Sequence, residues 1–155
     1  MKYKYEYETI IGKITIIEDE KGICEIGIKD AGKRGDYIEK ETELIRKTYN
    51  QLQEYFKGER KEFDIPLSIN GTIFQEKVWK ALTQIPYGET RSYKDIAIKA
   101  GNEKASRAVG MANNKNKIMI VIPCHRVIGT NKKLVGYAGG LDVKEKLLEI
   151  EKHNI

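Results

Sequence analysis

The sequence contains few of the residues that mark several classes of protein. Its 155 residues include two cysteines, three prolines and two histidines, too few for a disulfide-rich secreted domain, a proline-rich chain or a convincing zinc site. The longest apolar run, Ile118–Pro123, has about six residues, whereas a membrane-spanning helix needs about 20. Met1–Tyr5 contains no apolar stretch typical of a secretion signal. We therefore expect a cytoplasmic protein with reduced cysteines, no metal or cofactor and no membrane contact.

The composition that remains is that of a folded domain with an uneven charge. Hydrophobic residues make up 40% of the chain and charged residues 33%, which argues against disorder. Residues 1–64 carry 13 basic and 15 acidic side chains, whereas residues 65–155 carry 15 and 8. An acidic partner such as nucleic acid would explain the basic second part, and so would an ordinary lysine-rich solvated surface.

The spacing of apolar residues divides the chain into two parts. Alternating patterns at residues 3–7, 14–16 and 24–28 predict short antiparallel strands, and helical spacing at residues 39–57 predicts a helix that ends at Gly58. A charged and then extended segment follows. We place the domain boundary there and predict domains of residues 1–65 and 66–155.

The second part reads as a series of helices. Thr72 and Ser92 are predicted N-caps, residues 104–112 form a helix rich in small residues, and residues 141–151 form the last helix. The two middle helices are joined through Gly101-Asn102, which fits a helix-turn-helix, although many helical hairpins share this pattern. We expect Trp79 to belong to the core.

The chemistry of the chain is expected at Cys124. This residue follows a buried apolar run and precedes His125 and Arg126. A thiolate is the nucleophilic form of cysteine, an imidazole can accept the thiol proton, and a carboxylate such as Glu151 can orient the imidazole. A buried, inert cysteine is the alternative, because cysteine packs as a small hydrophobic residue.

The segment Pro123–Val127 (PCHRV) resembles the active-site signature of the O6-alkylguanine-DNA alkyltransferases, also called methylated-DNA–protein-cysteine methyltransferases. The resemblance covers about residues 65–152. It implies an α+β fold, in which a small, structural, ribonuclease-H-like α/β domain precedes a mainly helical, winged-helix-like domain with a helix-turn-helix. Further segments follow the family's order and spacing: FQEKVW (74–79), YGE (87–89), SY (92–93), ASRAVG (105–110) and YAGGL (137–141).

The resemblance implies DNA repair by direct damage reversal. Cys124 would accept a methyl or larger alkyl group from O6 of guanine, and less well from O4 of thymine, in an irreversible reaction that each molecule performs once. His125 would take the thiol proton through a water molecule, and Glu151 would orient His125. Tyr93 would donate towards guanine N3, and Asn116 would tie the helix-turn-helix to the active-site loop.

The resemblance also implies how DNA is bound. A base inside a duplex must be flipped out before it can react, and Arg107 would enter the stack in its place, with binding through the minor groove. The partner would be double-stranded DNA carrying O6-alkylguanine, bound by a monomer, with cooperative binding along DNA left open. The implied DNA contacts are Tyr93, Ala105, Ser106, Arg107, Ala108 and Gly110, and the implied pocket residues are Met119, Val127, Tyr137, Ala138 and Gly139.

The sequence departs from the family pattern at three positions. Ala138 stands where some members have a serine whose hydroxyl lies near O6, and Lys117 and Met119 stand where proline is frequent. Two other hypotheses stay open at this point. One is a protein that binds alkylated lesions, recruits other repair factors and transfers poorly, and the other is a thiol hydrolase or redox protein unrelated to DNA.

Overall fold

The computed structural model describes residues 1–29, 31–129, 137 and 140–155. Within it the chain forms two compact units, residues 1–69 and 70–155. Among the described residues, no helix is long and apolar enough to cross a membrane.

The first unit is a four-stranded sheet with one helix. The alternating segments form β1 (Tyr3–Thr9), β2 (Gly12–Glu18) and β3 (Ile23–Gly27), which pair antiparallel, and β4 (Ile38–Glu39) adds parallel to β1. The strand order is β3-β2-β1-β4. Helix α1 (Glu43–Phe56) contacts β1 and β2. The strands contribute buried isoleucines and α1 contributes one buried face to the core: Ile14, Ile16, Ile26, Ile45, Leu52 and Tyr55.

Helix α1 begins four residues later than its apolar spacing predicts. Ile38 and Glu39 pair with Tyr3 and Lys4 of β1, so this segment is extended. Thr42 then caps the helix, since its hydroxyl oxygen accepts a hydrogen bond from the Ile45 amide at 3.1 Å.

Residues 66–68 pair with the first unit, although composition places them in the second domain. The Ile23 amide donates to the Pro66 carbonyl at 2.9 Å, and the Ser68 amide donates to the Ile23 carbonyl at 2.8 Å. The Ser68 hydroxyl also donates to Asp19 at 2.6 Å. These bonds satisfy backbone groups that an isolated linker would leave to water.

The second unit consists of helices around a short two-stranded sheet. Its helices are α2 (Ile73–Thr83), α3 (Tyr93–Lys99), α4 (Ser106–Asn114) and α5 (Leu141–His153), and its strands β5 (Arg91–Ser92) and β6 (Val127–Ile128) pair parallel. The predicted caps are confirmed: Thr72 with Gln75, and Ser92 with Asp95, form capping boxes at α2 and α3.

Helices α3 and α4 form the predicted helix-turn-helix. Gly101 has a φ of +94°, a conformation that favours glycine, and ends α3. Helix α4 begins at Ser106 rather than at residue 104, because residues 102–105 form a turn. In this turn the Ala105 amide donates to the Asn102 carbonyl at 3.0 Å.

Trp79 belongs to the core of the second unit, as predicted. It is 5% exposed, and its indole nitrogen donates to the Ala112 carbonyl of α4 at 2.8 Å. A buried tryptophan contributes apolar packing, and a hydrogen bond from its N–H fixes the orientation of the ring. This bond connects α2 to the second helix of the helix-turn-helix.

Replacing Trp79 with phenylalanine should lower the free energy of unfolding by about 1–3 kcal/mol, because the Ala112 carbonyl loses one of its two donors, the other being the Lys115 amide, and the smaller ring fills less of the core. Urea denaturation followed by circular dichroism measures this change. Lys80→Ala, at an exposed position of the same helix, is the control and should stay within about 0.5 kcal/mol of the unmodified protein. A Trp79→Phe effect as small as that of the control would contradict the assignment.

Candidate active site

The apolar run that precedes Cys124 is a series of tight turns. Asn116 organises it: its Oδ1 accepts from the Ile118 amide at 3.0 Å, and its Nδ2 donates to the Ile122 carbonyl at 2.8 Å. The side chain therefore bridges both ends of the loop. These bonds fix the backbone that leads from α4 to Cys124. The family resemblance implies the same connecting role for Asn116.

The backbone of this loop is also strained. Ile120 has a φ of +71°, an unfavourable value for a β-branched residue. The Val121 amide donates to the Met119 carbonyl at 2.8 Å around it. Ile120 and Met119 are buried, so packing holds the turn in place. At Pro123 a second three-residue turn (φ −80°, ψ 64°) directs the chain into Cys124.

Cys124 begins a short 3-10 helix, Cys124–Arg126, and is 5% exposed. Asn113 of α4 donates to its carbonyl at 3.3 Å. Burial raises the pKa of the Cys124 thiol, while the Asn116 and Tyr137 side chains and the charge of Lys144 act in the opposite direction. The raised pKa keeps the resting thiol protonated at neutral pH, so its reaction requires a base.

His125 and Glu151 form a buried pair. His125 Nε2 lies 2.5 Å from Glu151 Oε2, and at most 1% of the surface of either side chain is exposed to solvent. Burial lowers the pKa of His125. Hydrogen bonds from His125 and Arg126 outweigh the effect of burial on Glu151 and lower its pKa to about 2. At neutral pH the carboxylate is therefore ionised and the imidazole neutral, with its hydrogen on Nε2 and its basic lone pair on Nδ1.

Arg126 is a member of this site that the sequence pattern does not reveal. Its Nε donates to Glu151 Oε1 at 2.8 Å and its Nη2 to Oε2 at 3.1 Å. Its Nη1 donates to the Ile85 carbonyl at 2.7 Å, and the guanidinium lies 5.6 Å from the centre of the Tyr87 ring. The two-pronged bond orients the carboxylate and balances its charge. Its place next to His125 indicates that Arg126 lies near the site, but the sequence does not predict that Arg126 binds Glu151.

The YGE turn also contacts Glu151. The Gly88 amide donates to Glu151 Oε1 at 3.0 Å. Gly88 has a φ of +82°, and a side chain there would come within 2.8 Å of Ile155. The positive φ favours glycine at this turn.

Lys144 is the second unpredicted member of the site. It is fully buried on α5, and its Nζ donates to the Val127 carbonyl at 2.5 Å. Burial lowers the pKa of Lys144 to about 8. Helical spacing could have found it, because Lys144 lies one turn from Leu147 and two turns from Glu151 on the same face.

Tyr93 is brought to the site by the packing of α3 on α4. It is the first residue of α3 and is half-buried. Burial and the nearby Cys124 raise the pKa of its hydroxyl, which stays protonated at neutral pH. A side chain at Gly110 of α4 would lie 3.7 Å from the Tyr93 ring, so Gly110 faces this ring.

The exposed face of α4 carries some of the implied DNA contacts. Arg107 and Ala108 are exposed, and Ala105 and Ser106 are half-buried. Met111, one turn after Arg107, is 65% exposed and is not among the implied contacts. Of the implied pocket residues, Val127 and Met119 are buried and Tyr137 is half-buried, whereas Ala138 and Gly139 lie outside the described residues. In the described ranges, no three His, Cys, Asp or Glu side chains are grouped as a metal site requires.

Both units match models of one protein family. Residues 1–69 match the ribonuclease-like domain of 6-O-methylguanine DNA methyltransferase, and residues 73–153 match its DNA binding domain. These matches confirm the predicted two-domain α+β fold. The chain belongs to the 6-O-methylguanine DNA methyltransferase family.

Relatives match over almost the whole chain. The methylated-DNA–protein-cysteine methyltransferase of Methanosarcina acetivorans is 51% identical over 94% of this chain and 95% of its own. The constitutive enzyme of that name from Bacillus subtilis is 47% identical over 98% and 96%. A crystal structure of Mycobacterium tuberculosis OGT in complex with DNA, 42% identical, covers 98% of this chain and 94% of that chain with a TM-score of 0.92.

Replacing Glu151 with glutamine should lower the free energy of unfolding by about 3–5 kcal/mol at neutral pH, because Arg126 loses its buried counter-charge. The pKa of Glu151 is about 2 when folded, against an ordinary value of 4.5. Its contribution is therefore complete above the ordinary value and is lost as pH falls towards 2.

The variant should accordingly lose less stability than the unmodified protein when both are acidified. Urea denaturation at several pH values, followed by the fluorescence of the single tryptophan, measures both effects. Glu149→Gln, at an exposed position of α5, is the matched control. Equal acid sensitivity of the Glu151→Gln variant and the unmodified protein would contradict the assigned ionised state.

Proposed function

We propose that this protein repairs DNA by moving an alkyl group from O6 of guanine, and less readily from O4 of thymine, to its own Cys124. The observation that carries the proposal is the buried thiol followed directly by an imidazole that an ionised carboxylate orients. Membership of the 6-O-methylguanine DNA methyltransferase family and relatives named for transfer to a protein cysteine support it.

The reaction begins with the protonated thiol. His125 Nδ1 takes the proton of Cys124 through a water molecule, while Glu151 holds the opposite ring nitrogen at 2.5 Å. The sulfur attacks the alkyl carbon, a carbon–sulfur bond forms and the bond between carbon and O6 breaks. The electron pair of that bond goes to the guanine ring, and the Tyr93 hydroxyl donates a hydrogen bond towards N3 as negative charge develops there.

The products balance the reactants. The thiol proton reaches guanine in the end, so unmodified guanine and an uncharged thioether remain. A thioether has no leaving group that water or a second substrate could displace under these conditions. Each molecule therefore acts once, and no cofactor is consumed.

Access to O6 requires the target nucleotide to leave the duplex, at a cost of a few kcal/mol. We assign this task to α4, whose exposed Arg107 and Ala108 suit a minor-groove approach with an arginine that replaces the flipped base. The DNA complex of the M. tuberculosis relative supports DNA as the partner. Exposed lysines that suit phosphate contacts surround the helix-turn-helix: Lys94, Lys99, Lys104, Lys115 and Lys117.

The two units take different tasks in this proposal. Residues 70–155 bind DNA and perform the transfer, and they contain every residue of the site. Residues 1–69 serve as a structural domain. The partner is double-stranded DNA carrying O6-alkylguanine, bound by a monomer. We place the activity in the cytoplasm, whose reducing conditions keep the Cys124 thiol available.

Incubation with a duplex oligonucleotide containing O6-methylguanine should add one CH2 to each protein molecule, on the peptide that contains Cys124. Intact-mass and peptide mass spectrometry measure the gain, and nucleoside analysis should recover unmodified guanine. Cys24→Ser is the matched control, because it removes the other free cysteine and should transfer normally. Tight lesion binding without a mass gain would instead favour a lesion-binding protein, and a catalytic turnover above one would favour a thiol hydrolase.

Replacing Arg107 with alanine should slow transfer from duplex DNA by about tenfold or more, because the flipped-out state loses its support. Transfer from the free base O6-benzylguanine should stay within about twofold, since that reaction needs no flipping. Single-turnover kinetics with both substrates measure the difference. Equal slowing on both substrates would remove Arg107 from the flipping step.

A further inference from the structure

Lys144 is a buried cation that the proposed reaction does not yet use. Its side chain has 0% exposure on α5, in a unit where the other described lysines of helices α2 to α4 are exposed. Removing an ammonium group from water is costly unless its surroundings compensate for the loss. A position that keeps lysine at this cost needs a reason beyond packing.

The contacts of Lys144 connect its ammonium group to the backbone of the Cys124 segment. Its Nζ donates to the carbonyl of Val127 at 2.5 Å. Val127 is the residue that follows the 3-10 helix Cys124–Arg126. The same nitrogen lies 6.0 Å from the centre of the Tyr137 ring. The Val127 amide in turn donates to the Cys124 carbonyl. Lys144 is thus connected to Cys124 through one residue of backbone.

The titratable groups that face Lys144 are Cys124 and His125 from the 3-10 helix and Tyr137 from the segment before α5. The charge of Lys144 lowers the pKa of Cys124 and the pKa of His125. A thiolate next to an ammonium is stabilised, and an imidazolium next to one is not, so the proton taken from sulfur is passed on towards guanine.

We infer that Lys144 is a positioning residue for the alkyl transfer: its buried ammonium stabilises the negative charge that develops on Cys124 and holds the Val127 carbonyl in place. The inference rests on the proposed function for its substrate. Its effect on the thiol is independent of DNA and can be measured without it.

Two neutral replacements separate the charge from the hydrogen bond. Lys144→Gln keeps a donor for the Val127 carbonyl and loses the charge, whereas Lys144→Met loses both. Lys146→Gln, at an exposed position two residues further along α5, is the matched control. All variants are made in the Cys24→Ser protein, so that Cys124 is the single thiol.

The test is the pH dependence of Cys124 reactivity with iodoacetamide, in which sulfur displaces iodide. The ultraviolet absorbance of the thiolate, against a Cys124→Ser reference, reports the same ionisation without any reagent. Lys144→Gln should react about tenfold more slowly than the parent protein at neutral pH, where Lys144 is charged because its pKa is about 8. Lys144→Met should react as slowly as Lys144→Gln, and Lys146→Gln should coincide with the parent protein.

Profiles of Lys144→Gln and the parent protein that coincide would overturn the inference. If the neutral variants do not fold, Lys144→Arg keeps the charge and should react within about twofold of the parent rate at neutral pH, and a loss of about tenfold in that variant would overturn the inference as well. Melting curves for every variant separate folding from reactivity. Another outcome is that the parent protein fails to remove the alkyl group from DNA while the Lys144 variants still react more slowly with iodoacetamide. That combination would support the role of Lys144 at the thiol and reject the proposed substrate.

Discussion

The carboxylate of Glu151 is the interaction on which the second unit depends. It receives His125 on one oxygen, Arg126 on both and the Gly88 amide on the other. These donors come from the 3-10 helix and from the turn that follows α2, while Glu151 itself is on α5. One buried charge therefore joins three segments of the fold and orients the base of the reaction at the same time. A buried carboxylate is tolerable only with such complete pairing.

The pairing also determines the resting chemistry. Because Arg126 shares the carboxylate, Glu151 does not turn His125 into a permanent cation, and the pKa of His125 stays lowered by burial. The pKa of Cys124 is raised, so the resting site holds a thiol beside a neutral base. Such a pair reacts only slowly with oxidants and alkylating agents in solution, because little of the thiol is ionised. It forms a nucleophile when an alkylated base provides both an electrophilic carbon and a destination for the proton.

The sequence predicts the parts of this account that are local. Alternation in β1, the N-caps Thr72 and Ser92, and the helix-turn-helix follow from short-range patterns, and the PCHRV segment identifies Cys124 and His125. It does not predict contacts between distant segments. The bonds of Arg126 to Glu151, 25 residues away, depend on how α5 packs, and so does the bond of Lys144 to the Val127 carbonyl, 17 residues away. Likewise, the extended segment at Ile38–Glu39 and the pairing of residues 66–68 with β3 are tertiary contacts that override local spacing.

Glu151 holds His125 as a neutral base with its hydrogen on Nε2. Nitrogen-15 NMR of the imidazole rings measures this protonation state. The chain has two histidines, and replacing exposed His153 with asparagine leaves His125 as the single signal. We predict a neutral ring, protonated at Nε2 and unprotonated at Nδ1, through the neutral pH range. A ring that is an imidazolium at neutral pH, or one that carries its hydrogen on Nδ1, would contradict the account.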